Sequence, residues 1–167
     1  MRDRVIPFGV SLAILVLDQI TKNLINAHVS AWQSLTVIPG FFNIVHAENP
    51  GMAFSLLADA SGMWRNVLLI GLSLSVAGSI AVLLARSGPS QHWLVRMGLA
   101  LVLGGALGNL YDRALHGTVT DFVEIYAGTH FFPAFNVADS AISVGAALLI
   151  LDMWRTRERP GQVVNVP

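Results

Sequence analysis

Asn66–Ala85, NVLLIGLSLSVAGSIAVLLA, is a run of twenty residues without a charged side chain. At 1.5 Å of rise per residue, a helix of about 20 apolar residues matches the hydrocarbon thickness of a bilayer. The rest of the chain agrees with that reading. Of its 167 residues, 54% are hydrophobic and only 12% charged, against about 25% charged in a typical soluble domain. Its mean hydropathy is +0.62.

Three further spans follow by the same criterion. The first runs over roughly 6–25, the third over 94–111 (LVRMGLALVLGGALGNLY) and the fourth over 136–154 (NVADSAISVGAALLILDMW). Their few charges lie near an end, where a long side chain reaches polar surroundings. Arg2 and Arg4 before an apolar run also suit a cleaved signal peptide. Asp18 and Lys22 interrupt the segment where a small-residue cleavage site belongs, and more spans follow, so a retained first helix is the better reading.

Basic residues set the expected orientation, because Lys and Arg accumulate in cytoplasmic segments. Arg2 and Arg4 precede the first span, Arg86 and Arg96 flank the link between the second and third, and Arg155, Arg157 and Arg159 follow the fourth. No Lys or Arg occurs between Asn23 and Trp64, or between Ala114 and Trp154. The expectation is one polytopic membrane domain, 1–167, with both termini in the cytoplasm and outward connections over about 26–65 and 112–135. Residues Leu35–Val45 read as two short strands around the Pro39–Gly40 turn. Ala53–Ala60 is a candidate interfacial helix. The fold class is therefore all-α membrane protein, four transmembrane helices with a small outer-face β element. Gly104 and Gly108 have the GxxxG spacing that lets helix backbones approach closely; packing within the bundle is the plainer reading, a dimer face the other.

Zero net charge gives no electrostatic case for nucleic acid as a partner. The absence of cysteine excludes disulfides, thiolate metal sites and thiol nucleophiles.

The remaining polar residues cluster by depth. Asp18 and Lys22 lie near the outer end of the first span, Glu48 and Asn49 in the first outer connection, and Asn109, Asp112 and Arg113 at the outer end of the third span. Asp121 and Glu124 lie in the second outer connection, and Asn136 and Asp139 at the start of the fourth span. Each has a plain structural explanation. Asp18 and Lys22 are spaced to pair on a helix; Asn136 and Asp139 approximate a capping box. The chemical reading rests on Asp121 and Asp139 together. Two carboxylates around one water can hydrolyse a peptide, the ionised one taking a proton from water and the protonated one polarising the carbonyl. Close approach of like charges produces that split, and the pair titrates as a unit.

Five ordered elements carry a family resemblance: Asp18-Gln19-Ile20-Thr21-Lys22, Asn49-Pro50-Gly51-Met52-Ala53-Phe54, Gly108-Asn109-Leu110-Tyr111-Asp112-Arg113, Val119-Thr120-Asp121-Phe122 and Phe135-Asn136-Val137-Ala138-Asp139-Ser140. With this topology the sequence resembles the lipoprotein signal peptidase (signal peptidase II) family over most of its length. Pro50 and Met52 stand where small or hydroxyl residues are commoner. The resemblance implies Asp121 and Asp139 as catalytic aspartates. It further implies Asn49, Asn109, Arg113 and Asn136 as substrate-binding or dyad-supporting groups, and Asp18, Lys22 and Asp112 as structural support. It implies no metal and no cofactor. The substrate would be a diacylglyceryl-modified prolipoprotein, cut before the lipidated cysteine at the outer face of a bacterial inner membrane, with globomycin as inhibitor and membrane lipid as surroundings. Two other readings remain. One is an ion- or substrate-transport protein using the carboxylates; the polar groups gather at one level and trace no route across. The other is a structural assembly factor, which leaves the aspartates without a use.

Overall fold

The structure is a computed structural model that describes residues 2–31, 33–51, 62–88 and 91–157. The candidate interfacial helix at 53–60 and the tail beyond Arg157 lie outside the described residues. Among the described residues, four helices are long and apolar enough to cross a membrane. They are α1 (Arg2–His28), α2 (Gly62–Arg86), α3 (Trp93–His116) and α4 (Val137–Arg157). Four strands, β1 (Ser34–Ile38), β2 (Phe42–Asn49), β3 (Val119–Ala127) and β4 (His130–Phe131), form an antiparallel sheet in that order at one end of the bundle.

α3 is the axis of the bundle and is packed by α1, α2 and α4. Its glycines make this possible. A Cβ on Gly104 would stand 2.7 Å from Ser11 O of α1, and one on Gly98 2.9 Å from Gly145 O of α4. Gly105 meets the Ala138 carbonyl in the same way. The GxxxG face is therefore spent inside the bundle, with Gly104 and Gly108 both turned to α1. A buried apolar cluster of Ala77, Leu84, Leu99, Ala100 and Leu103 joins α2 to α3. Elsewhere large apolar side chains point outward, Val67, Leu72 and Leu83 among them. In water that surface would be untenable; in lipid it is the expected exterior.

The strands around Pro39–Gly40 form as the sequence suggested, with Gly40 at φ 80° in the turn. β3 and β4 were not anticipated. Val119–Ala127 is rich in β-branched and aromatic residues, and its pairing with β2 converts the second connection from a loop into the centre of the sheet. α3 also continues through Asp112 and Arg113 to His116, where Gly117 ends it in the left-handed conformation at φ 77°. Both charged residues are thus helical, held in register by the α3 backbone.

Candidate active site

Two strands and a bridge bring the aspartates together. β2 and β3 pair so that Ala47 opposes Asp121 and Asn49 opposes Val119. Asn49 is then diagonal to Asp121 on the same face, within reach across the strands, and its Nδ2 donates to Asp121 Oδ2 at 2.9 Å. Asn49 Oδ1 accepts from Gly51 N at 2.9 Å, in a turn that needs Gly51 at φ 94°. On the other side, the segment before α4 docks on β3. Phe135 O accepts from Phe122 N and Val123 N, and Phe135 N donates to Val123 O at 3.0 Å. This bridge sets Asn136, the next residue, beside Asp121.

Asn136 is fully buried and works in two directions. Its Oδ1 accepts the backbone N–H of Asp139 at 2.9 Å, the ordinary N-cap bond of α4. Its Nδ2 donates to Asp121 Oδ1 at 2.7 Å, with longer approaches to Asn109 Oδ1 (3.2 Å) and Thr120 O (3.4 Å). The Asp139 carboxylate does not complete a capping box; its Oδ1 accepts instead from Asn109 Nδ2 of α3 at 2.7 Å. Asp121 and Asp139 are therefore linked through one asparagine and sense each other's charge.

Burial, with Asp121 only 3% exposed, pushes its carboxyl up to about 6. The charge of Asp139 adds to the rise, while donation by Asn49 and Asn136 and the charge of Lys22 oppose it. Asp139 is only partly covered and faces a pocket of about 460 Å³. Phe132, Phe135 and Val144 give that pocket an apolar wall.

Asp18, Lys22 and Asp112 form a second layer below. Lys22, 2% exposed, places Nζ 2.8 Å from Asp18 Oδ2, 2.8 Å from Asp112 Oδ2 and 3.0 Å from Asn109 Oδ1. Asp18 Oδ1 accepts the N–H of Ala138 at 2.9 Å, covering a second free donor at the start of α4. Gly108 leaves the space for this, because a Cβ there would lie 2.5 Å from Asp18 Oδ2. Gln19, to which the sequence reading gave no role, donates through Nε2 to Asp112 Oδ1 at 2.9 Å and more distantly to Asp18 Oδ2 and Gly108 O. Its place beside Asp18 in the first motif was the available signal. Thr21 of that motif bonds back to Leu17 O of its own helix.

Arg113 lies within electrostatic reach of Asp139, Asp121 and Asp112. It makes a long bond of 3.4 Å from Nη1 to Asn109 O, and its buried Nε has no hydrogen-bond partner among the described residues. Glu124 stands apart. Strand alternation turns it to the face opposite Asp121, where it accepts from Asn43 at 2.8 Å. Glu48 is exposed. Among the described residues, no three His, Asp or Glu side chains converge as metal ligands.

The chain matches known proteins over nearly its full length. The profile of the Signal peptidase (SPase) II family covers residues 10–155. A lipoprotein signal peptidase of Solibacter usitatus is 43% identical over 159 residues, 93% of this chain and 94% of that protein. One from Pseudomonas putida is 47% identical, covering 89% and 86% respectively. A solved structure described as a bacterial membrane enzyme superposes with a TM-score of 0.80 at 26% identity, over 95% of this chain and 94% of the other. Fold, motif order and these likenesses converge, and the chain belongs to the signal peptidase II family.

Proposed function

We propose that this protein is an aspartic endopeptidase that removes signal peptides from diacylglyceryl-modified prolipoproteins, cutting before the lipidated cysteine. The observation that carries the reading is the placement of Asp121 and Asp139 around one buried asparagine, with Asp139 lining an apolar pocket. A water between the carboxyls loses a proton to the ionised one as its oxygen adds to the scissile carbonyl. The protonated partner donates to the carbonyl oxygen. The tetrahedral species then collapses with proton transfer to the departing nitrogen, and the C–N bond breaks. The pair passes one proton between its members, so neither has to be assigned it permanently.

The surrounding groups suit an extended peptide. Arg113 has an unspent donor, and Asn49 and Asn136 hold Asp121 from both oxygens. The apolar pocket beside Asp139 would receive the lipid-bearing side of the substrate from the bilayer. The charge pattern supports both termini in the cytoplasm and the sheet at the periplasmic face of the inner membrane, where acyl chains of the outer leaflet end. A transport reading requires polar groups along a route, yet α2 carries none of the site residues and packs through an apolar cluster.

Purified protein in detergent, given a diacylglyceryl prolipoprotein, should release the signal peptide with the lipidated cysteine as the new N-terminus by mass spectrometry. Globomycin should block the reaction. Absence of cleavage, together with ion flux in liposomes, would move the protein to the transport class.

A further inference from the structure

An asparagine side chain presents an acceptor and a donor of nearly equal size, so its value beside a carboxylate depends on which way it is turned. Three asparagines surround the aspartates, and each is anchored through its oxygen. Asn49 Oδ1 is held by Gly51 N and Asn136 Oδ1 by Asp139 N, both short-range backbone anchors. Asn109 has no such anchor among the described residues. Its oxygen is held from another helix by the ammonium of Lys22 at 3.0 Å.

We propose that Lys22 is a positioning residue of the reaction, turning the Asn109 amide so that its NH₂ stays against the Asp139 carboxylate. This rests on the two-aspartate reading of the site. A lysine ammonium has three hydrogens and no acceptor. Here it donates to Asn109 Oδ1 at 3.0 Å and stands in ion-pair contact with Asp18 Oδ2 and Asp112 Oδ2, each at 2.8 Å. Turning Asn109 over would set its NH₂ against that ammonium and its oxygen against Asp139, two repulsions in a buried site. Asn136 also approaches Asn109 Oδ1, but at 3.2 Å, with its shorter bond of 2.7 Å spent on Asp121. The ammonium supplies the charge-assisted contact and so decides the orientation. Asp18 and Asp112 fix the ammonium in turn. The layer below the aspartates thereby does more than fill a polar gap between α1 and α3: it fixes the direction of a hydrogen bond made one residue further on.

The test is a double-mutant cycle of Lys22→Met and Asn109→Ala, read as kcat and its pH profile on a lipidated prolipoprotein. Lys22→Met should lower kcat about 10–100-fold, the range expected for one charged-group hydrogen bond, and move the acid limb of the profile to higher pH. In the Asn109→Ala background the same substitution should change kcat less than about twofold, because the bond it directs is already gone. Equal losses in both backgrounds would overturn the relay and leave Lys22 as a structural or through-space charge. If Lys22→Met does not fold, the cycle is run with Asp112→Asn in every member, which removes one of the two carboxylates that would otherwise be left without the ammonium. Asp121→Asn and Asp139→Asn are assayed alongside. Turnover in either defeats the dyad itself, whereas silence in both with an additive cycle defeats the relay alone.

Discussion

Two pairs of aspartates lie at the sheet end of the bundle, and they are bonded differently. Asp18 and Asp112 share the ammonium of Lys22, each at 2.8 Å. Asp121 and Asp139 accept from the neutral amides of Asn49, Asn136 and Asn109, and neither forms an ion pair among the described residues. An ammonium at contact distance gives two buried carboxylates a shared countercharge, which suits architecture. A neutral amide orients a carboxylate without fixing its charge. The same residue type thus meets an ammonium in one layer and neutral amides in the next.

The largest effect on folding should come from breaking the lower pair. Lys22→Met leaves two buried carboxylates around an apolar chain and should cost about 3–5 kcal/mol, read as thermal unfolding in detergent. A cost near zero would mean that water enters the layer and the contrast between the pairs is smaller than drawn. Gly108→Ala presses directly on Asp18, with a Cβ 2.5 Å from its Oδ2. It should destabilise by about 1–3 kcal/mol and also slow cleavage, because Asp18 caps the helix that carries Asp139.

The upper pair should reveal itself through pH. Asp121 has a folded-state value of about 6 against an ordinary 3.8. Between those values the folded protein binds more protons than the unfolded chain. Its contribution to stability is then fully present below about 3.8 and is lost as pH rises through 6. Asp121→Asn removes this dependence, so the Tm of the variant relative to wild type should climb from pH 4 to pH 7. A constant difference would show that Asp121 titrates normally. Smaller still, Glu124→Gln keeps an acceptor for Asn43 on the opposite sheet face and should change turnover less than about twofold, since it touches neither pair.

The helices were legible because a bilayer leaves the backbone few choices: twenty uncharged residues at 66–85 have one reading. The two strands beside Pro39–Gly40 were legible from their turn. β3 was not, although VTDFVEIYA carries the composition of a strand, because its acidic residues drew the reading towards loop chemistry. The spacing at Gly104 and Gly108 left bundle and dimer open; a backbone carbonyl at one glycine and the Asp18 carboxylate at the other decide for the bundle. That Asn49, Asn109, Asp121, Asn136 and Asp139 would meet at one level was legible, and the structure joins them by hydrogen bonds. Which atom of each asparagine meets which carboxylate was not, since that depends on anchors from β2, α1 and α4 that no local pattern encodes.

Turnover of a lipidated prolipoprotein by Asp121→Asn and by Asp139→Asn, each normalised to folded protein, tests the assignment of chemistry to the upper pair most directly. Each single variant should lose at least about 10³-fold in kcat, towards the upper range for removal of an acid–base group, with the fold retained. Either variant turning over within about tenfold of wild type would contradict it.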